Sequence, residues 1–397
     1  MNTAASARAD VIIVGGGIMG CAAAFFLRRR GRSVILLERE LVGRQASGAN
    51  FGNVRRQGRH LHQLPLANRS REVWGRLPEL IGEDVEFLPS GHIRITYDQE
   101  RVGLLESYAR DARDYGLELE MVSGDSMRKR FPYLGPEVRA GSLSPLDGHA
   151  NPRLSAPAFC RAAARLGAQM IEHTEIALVE KEGEDFRAIS TDGRVYRAPA
   201  MLITAGAWGD HLALQFGEPV PLIARGPQMG VTEPVPYGIR PVVGVSTNIT
   251  EESLYYRQIP RGNIIFGGCG YGEVSTETIR AYVKPENTIR QLSQLRRLSP
   301  VLANVNLIRV WSGIESYLPD SNPVMGPSAK VPGLYYAFGF CGEGFQLGPG
   351  VGDVMAELID TGATDVPLEH YAIGRFAAAE AILAAATSPA KAAAGTH

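Results

Sequence analysis

The segment Val11-Ile12-Ile13-Val14-Gly15-Gly16-Gly17-Ile18-Met19-Gly20 constrains this chain more than any other. Four consecutive β-branched residues read as a buried parallel strand. Gly15, Gly17 and Gly20 then form GxGxxG, and Cys21 to Arg30 reads as a helix stopped by Gly31. Ser33 to Leu37 reads as a second strand, closed by Glu38. Together these make a βαβ unit of roughly 30 residues. The first glycine makes the turn, the second lets a pyrophosphate approach the backbone, and the third lets the helix pack close on the strand. The helix start offers unpaired N–H groups and a positive dipole end to phosphates. Glu38 stands where an acid takes ribose hydroxyls. Dinucleotide binding is therefore expected, against the alternative of a purely structural glycine turn.

The same region contains an apolar run from Val11 to Leu27, followed by Arg28, Arg29 and Arg30. That run is short for a span of about 20 residues. A signal peptide carries its positive flank before the apolar stretch, not after it. No transmembrane segment is expected. Lys and Arg number 41 and Asp and Glu 42, a net charge of -1. This balance argues against nucleic-acid binding, which needs a basic surplus. The arginine-rich stretch Arg55 to Arg71 has few aromatics and does not change that expectation. The cysteines Cys21, Cys160, Cys269 and Cys341 form no CxxC pair. They suit a reducing compartment, so a cytoplasmic protein is expected. No HExxH or paired-His spacing occurs, so no metal site is expected.

At 397 residues the chain is long enough for two or three domain-sized units. Later segments mix helix and strand signals. Pro157 to Gly167 reads as a helix, and Met201 to Thr204 as a strand ending in Ala205-Gly206-Ala207-Trp208. Prolines punctuate short alternating runs from Pro219 to Phe266, as in an antiparallel sheet. Gly267 to Gly272 has no helix start after it and reads as a strand end. Gly333 to Gly339 reads as a strand, followed by a Gly-rich loop and a helix through Val351 to Ile359. That second Gly-rich loop, Gly339 to Gly348, suits a flavin. A flavin's N1–C2=O edge becomes anionic on reduction and needs a positive helix end beside it. The plainer alternative is a helix cap with a mobile loop. From Ala377 on, an Ala-rich tail is expected.

An ordered set of motifs extends this reading: VIIVGGGIMG, LLERE, ASGANFGNVRRQGR, GHANP, TAGAW, YYRQIPRGNIIFGG, WSGIESYLPDSNPVMG and GFCGEGFQLGP. With them the chain resembles the FAD-dependent amine oxidoreductases of the D-amino acid oxidase family, relatives of glycine and sarcosine oxidases. The Asn-Phe-Gly-x-Val-Arg-Arg and Gly-Ile-Glu forms look most like the β subunits of opine (octopine/nopaline) and D-hydroxyproline dehydrogenases. The resemblance implies an α/β fold. Residues 1–85, 146–218 and 306–376 would form a Rossmann-like FAD-binding domain. Residues 86–145 and 219–305 would form a mixed, largely antiparallel substrate-binding domain, with 377–397 as the tail.

It also implies roles for residues. Gly15, Gly17, Ile18, Met19, Gly20, Glu38 and Arg39 would bind the dinucleotide. Ser47, Gly48, Asn50 and Gly52 would line the pyrophosphate and ring face. Val179 would hold the adenine through its backbone, with Ala205, Gly206 and Trp208 as a second FAD contact. Gly313, Gly342, Gly344, Phe345, Gln346 and Leu347 would surround the ring, and Arg55 would lie over it. His149 and Asn151 would mark the crossing between domains.

Two departures from the family pattern bear on the substrate. Family members carry an Arg after Trp-x-Gly that clamps the substrate carboxylate in bidentate fashion. Here Glu315 occupies that region. It could bind the substrate amine or a guanidinium, or be an ordinary salt-bridged loop acid. The clamp would then fall to Arg55, Arg56 or Arg257. Tyr255 and Arg257 share one strand face, which suits a site wall. The second departure is Glu343, where relatives often place His. Cys341 reads as a packing residue. The expected reaction is oxidation of a secondary amine or D-amino acid to the imine, by hydride transfer to flavin. Electrons would pass to iron–sulfur or second-flavin partner subunits, or to oxygen in a stand-alone oxidase. A flavin-binding assembly subunit without its own substrate is the third reading.

Overall fold

The computed structural model describes residues 7–377. The expected tail beyond Ala377 lies outside the described residues. Strand β1 (Val11–Val14), helix α1 (Ile18–Arg29) and strand β2 (Val34–Leu37) form the βαβ unit at its expected place. All eight strand residues are buried, which explains their unbroken apolar character. The two strands centre a six-stranded sheet. Its order is Val324–Pro327, Leu334–Phe338, Ala200–Ile203, β1, β2, Gln169–Ile171. All neighbours pair in parallel except the Val324–Pro327 edge.

Alternate residues on these strands face opposite ways. Val11, Ile13, Leu36 and Leu202 pack against α1, the helix Pro152–Arg165 and helix α2 (Gly344–Thr361). Ile12, Val14, Ile35, Leu37 and Ile203 pack against a second, four-stranded sheet through Val179, Phe186 and Ala188. The dinucleotide unit is thereby clamped from both faces.

A nine-stranded sheet forms the other half. Its path runs from Leu307–Ser312 through Ile223–Pro234, Asn263–Gly272, Tyr255–Gln258, Val242–Val245, His92–Thr96 and Ala140–Ser144 to Glu120–Ser123. Glu315–Tyr317 pairs beside Ile223–Pro234. Only Val242–Val245 with His92–Thr96 is parallel, so the sheet is mixed and largely antiparallel, as expected.

Two helices start earlier than the sequence suggests. The helix expected from Pro157 begins at Pro152, with Pro157 inside it. Asn151 caps it by accepting from Arg153 N, and proline at the first helical position needs no partner there. Helix α2 begins at Gly344 rather than Val351 and takes in Pro349. Its glycines allow close packing. A Cβ on Gly348 would lie 2.6 Å from Ile18 Cγ2, and one on Gly350 2.5 Å from Ser70 Cβ. Tertiary contact here outweighs the low helix propensity of glycine.

Candidate functional site

A cavity of about 930 Å³ lies between the two large sheets, near the upper end for ligand sites. One end is built largely from main chain. Gly15 has φ +114°, and a Cβ there would stand 2.5 Å from the Thr204 carbonyl oxygen. Only glycine fits such a backbone. Gly17, Ile18 and Met19 line the wall at the start of α1, where first-turn amides have no carbonyl partner within the helix. Ile18 N donates to Ser47 Oγ at 2.9 Å. Gly20 is behind the wall, pressed on the Gly15 carbonyl, the close packing asked of the third glycine.

Glu38 is fixed on this wall by two amides, from Gly16 at 2.7 Å and Glu40 at 2.8 Å. Its carboxylate keeps lone pairs for further donors. Arg39 lies over the Trp208 ring at 4.2 Å, and among the described residues its buried Nε has no hydrogen-bond partner. Ala205, Gly206 and Trp208 complete this end. Val179 does not. Its side chain is buried and its amide donates to Gln215 Oε1 at 2.8 Å, so Ile176 and Ala177 occupy the wall instead. The strand Ile176–Glu182 enters the wall by its first two residues, which precede Val179 by three and two positions.

The middle of the cavity is lined by Ser47, Asn50, Gly52 and Arg55. Asn50 organises its loop: Nδ2 donates to the Ala46 and Ser47 carbonyls, and Oδ1 accepts from Gly52 N at 2.7 Å. Gly48 and Gly313 lie outside the wall. A Cβ on Gly48 would strike the Gly43 carbonyl, and one on Gly313 would sit 2.6 Å from Ala49 Cβ. Gly342, Gly344 and Phe345 reach the cavity at the start of α2. Gln346 and Leu347 turn away. Gln346 Nε2 donates to the Ala67 carbonyl at 2.8 Å, and Leu347 is in the core.

Glu343 sits at the N-terminus of α2 and binds two arginines. Its carboxylate is 3.1 Å from Arg55 Nη2 and 2.7 Å from Arg59 Nη1. Burial pushes the Glu343 carboxyl upward, but Arg59 and Arg55 outweigh it and hold the group below its ordinary value. Two guanidiniums, one carboxylate and a helix N-terminus leave a net positive patch.

The far end is built from side chains. Glu315 lines it, with Oε2 accepting from Tyr317 Oη at 2.9 Å. Burial raises the Glu315 carboxyl above its usual range, against the hydrogen bond from Tyr317. Tyr255 lines the wall and packs on Phe51. Arg257, on the same strand face, does not line the cavity. Its Nε donates to the Phe51 carbonyl at 2.8 Å and its Nη1 to His149 Nδ1 at 2.9 Å. It braces the Phe51–Gly52 turn from beneath. Burial lowers its pKa to about 9, and burial with Arg257 lowers His149 to about 3, so that imidazole is neutral. Arg56 is also consumed, by Asp147 at 3.0 Å and Asn68 at 3.1 Å. Neither Arg56 nor Arg257 is a free carboxylate clamp. Cys341 is a half-buried thiol that burial pushes up to about 11, which suits the packing role expected of it.

Sequence reasoning missed Arg94, Arg225, Tyr271 and Tyr317 in this wall. Arg94 stands between two isoleucines on an alternating strand, a pattern that also describes a solvated face.

Main-chain donors at α1, the fixed acid Glu38, the orphaned Arg39 Nε and the positive end of α2 fit a dinucleotide carrying a redox ring. Residues 10–358 match the model described as DAO, FAD dependent oxidoreductase. The chain therefore belongs to that family. It is 27% identical over 378 residues to glycine oxidase of Geobacillus kaustophilus, covering 93% of this chain and 97% of that one. It is 27% identical over 385 residues to a subunit of opine oxidase from Rhizobium meliloti, covering 94% and 99%. Against 4-methylaminobutanoate oxidase (formaldehyde-forming) of Paenarthrobacter nicotinovorans it is 26% identical over 388 residues, covering 92% of this chain but 45% of that protein. The chain thus spans less than half the length of some curated relatives. The crystal structure of L-proline dehydrogenase from P. horikoshii superposes with a TM-score of 0.86 at 26% identity, covering 94% and 99%. FAD is the cofactor of the family, and the chain is an FAD-dependent oxidoreductase. Among the described residues no helix is long and apolar enough to cross a membrane.

Proposed function

We propose that the chain oxidises a secondary amine or D-amino acid to the imine. The observation that carries this reading is Glu315: a half-buried carboxylate on the cavity wall, one oxygen held by Tyr317 and the other without a donor among the described residues. An amine enters water-borne as ammonium and must lose a proton before its lone pair can assist C–H cleavage. Glu315 is placed to take that proton, and the raised pKa that burial gives it makes its carboxylate a stronger base. Bound FAD supplies the hydride acceptor. The positive patch of Arg55, Arg59 and the α2 N-terminus favours the electron-rich, reduced ring. Gly15, Gly17, Glu38, Ser47, Ala205, Gly206 and Trp208 would hold the nucleotide part. In this reading the FAD-binding part is residues 1–85, 146–218 and 306–376, and the substrate-binding part is 86–145 and 219–305.

Two relatives, one named as an opine oxidase subunit and one as the beta subunit of sarcosine oxidase, support a chain that works beside partner proteins. We assign electron transfer to such partners, carrying an iron–sulfur centre or a second flavin. All four cysteines are free, which suits a reducing cytoplasm. The test is anaerobic titration of the purified holoprotein with D-proline, D-hydroxyproline, sarcosine, glycine, octopine and nopaline. At least one should bleach the flavin. Bleaching by dithionite but by none of these amines would overturn the proposal. Readmitted oxygen should restore colour slowly if a partner protein is the acceptor, and rapidly if the chain is an oxidase.

A further inference from the structure

Amine oxidation uses none of the cysteines, yet the fold brings two of them together. Cys21 and Cys160 are far apart in sequence, and both are free. Cys21 ends the first turn of α1, directly after Gly20. Cys160 stands in the helix Pro152–Arg165, which packs on α1. Contacts on two sides fix that crossing. Phe25, one turn beyond Cys21, meets Phe159 edge-on with ring centres 5.8 Å apart. On the other side, the Gly16 carbonyl accepts from Cys21 Sγ at 3.4 Å and from Gly43 N at 2.9 Å. A Cβ on Gly43 would lie 3.0 Å from Cβ of Ala156, one turn before Cys160. Between these contacts the two thiols come within hydrogen-bonding reach, Cys21 donating and Cys160 accepting. The Cys21 proton therefore has two acceptors, the Gly16 carbonyl and the Cys160 sulfur.

The two sulfurs are not equivalent. Cys21 is inaccessible, and burial holds its thiol well above the ordinary value, in the protonated form. Cys160 is half-buried. The hydrogen bond from Cys21, aided by the charge of Arg161, outweighs burial and Glu172 and holds the Cys160 thiol below its ordinary value. A partly exposed thiolate beside a second thiol is the arrangement of a redox-sensing cysteine and its resolving partner. The other two cysteines are built differently. Burial pushes the Cys269 thiol up to about 12. Cys341 Sγ accepts from Leu318 N and donates to the Gly339 carbonyl.

We propose that Cys21 and Cys160 are a peroxide-sensitive dithiol, which closes to a disulfide and fastens the start of α1 to the helix Pro152–Arg165. Hydrogen peroxide is the oxidant. The Cys160 thiolate attacks one peroxide oxygen, the O–O bond breaks, and hydroxide leaves with the proton that the thiol gave up. Cys160 is then a sulfenic acid. Cys21 Sγ attacks that sulfur, the S–O bond breaks, and the departing hydroxide takes the Cys21 proton. One S–S bond has formed, the two thiols have lost two electrons, and one peroxide has become two waters. Burial keeps peroxide from Cys21, so Cys160 must react first. The closed link ties down the helix whose first amides face the nucleotide end of the cavity.

The experiment treats the holoprotein with a modest excess of hydrogen peroxide, quenches it in acid, alkylates it in denaturant and digests it with trypsin. Free thiols should fall from four to two. The peptides 9–28 and 154–161 should appear as one linked species, lighter than the pair by two hydrogens, and dithiothreitol should separate them. Cys269 and Cys341 should be recovered alkylated. The linked holoprotein should release its flavin at a temperature about 5 °C higher than the reduced form, because the link closes a long loop of the unfolded chain. Cys160→Ser, outside the cavity wall, should keep its flavin and lose the link, and its Cys21 should survive peroxide as a free thiol. Four thiols retained in the wild-type protein, or Cys160 oxidised to sulfinic acid without a link, overturns the proposal and needs no variant to fold. Loss of the Cys21 thiol in Cys160→Ser overturns the assignment of Cys160 as the group that meets peroxide. A linked protein that releases flavin no later than the reduced one overturns the fastening of α1.

Discussion

The two ends of the cavity are made by different means. At the nucleotide end a contiguous stretch, residues 11 to 38, supplies a strand, a glycine turn, a helix start and an acid. At the substrate end Arg94, Arg225, Tyr255, Tyr271, Glu315 and Tyr317 arrive from five strands of one sheet. The first end works mostly through peptide groups and demands that certain side chains be absent. The second works through side chains and demands that certain ones be present. Sensitivity to substitution should therefore differ in kind. Adding atoms harms the first end, and removing charge harms the second.

The largest effect should come from Gly20→Val. The added side chain meets the Gly15 carbonyl and lies 2.7 Å from Thr204 Oγ1 at its first carbon alone. Overpacking of this kind costs about 1–3 kcal/mol or more, and here it displaces the turn that meets the phosphates. The protein should purify without flavin, as judged by the ratio of absorbance at the flavin band to that of the protein. A fully yellow variant would break the comparison at its stronger end.

Next is Glu343→Gln, which acts where the two ends meet. It leaves Arg59, nearly inaccessible, and Arg55 without their shared carboxylate. Breaking such a buried pair costs about 3–5 kcal/mol. Thermal unfolding at neutral pH should show a lower Tm. The pH dependence has a definite sign. Glu343 is held below its ordinary pKa, so its contribution is present above the ordinary glutamate value. It is lost as pH falls through the lowered folded value. The wild-type protein should lose that increment on acidification, and the variant should not. Identical acid profiles would show that the arginines do not depend on this acid.

Glu315→Gln should spare flavin content and cost about 100-fold in the kcat/KM for amine oxidation, the scale of one lost proton acceptor. Because burial raises its pKa, wild-type kcat/KM should fall as pH drops through that raised value and the carboxyl becomes protonated. The variant should lack this acidic limb. A parallel profile in both proteins would return Glu315 to the role of an ordinary buried acid.

How much of this was legible in the sequence follows the same division. The βαβ unit, the mixed antiparallel sheet and the glycine turn were readable because strand, turn and helix signals are local and adjacent. Glu315 and Tyr255 were singled out from motifs, and both face the cavity. Arg257 was misplaced for a physical reason: sharing a face with Tyr255 fixes direction but not depth, and the Phe51 carbonyl intercepts its guanidinium. Val179 was two residues from the wall because a strand's entry point depends on sheet register. Arg94 and Arg225 were invisible because no local pattern shows which arginines line a cavity. That fact exists only once distant stretches of chain have been brought together.

The smallest predicted effect tests whether any side chain matters at the nucleotide end. Arg39 lies over Trp208 at 4.2 Å, with a weak second partner in Glu175 at 3.8 Å. A cation over an indole at a partly exposed site is worth about 0.5–1 kcal/mol. Arg39→Gln should therefore weaken FAD binding to the apoprotein by only about two- to fivefold, measured by quenching of flavin fluorescence on titration. Amine turnover at saturating FAD should not change, since Arg39 lies at the far end from Glu315. A loss of a hundredfold or more would mean that the unpartnered Nε of Arg39 carries a charged hydrogen bond to the nucleotide. The nucleotide end would then be recognised by side chain as much as by backbone, and the contrast between the two ends would narrow to a difference of degree.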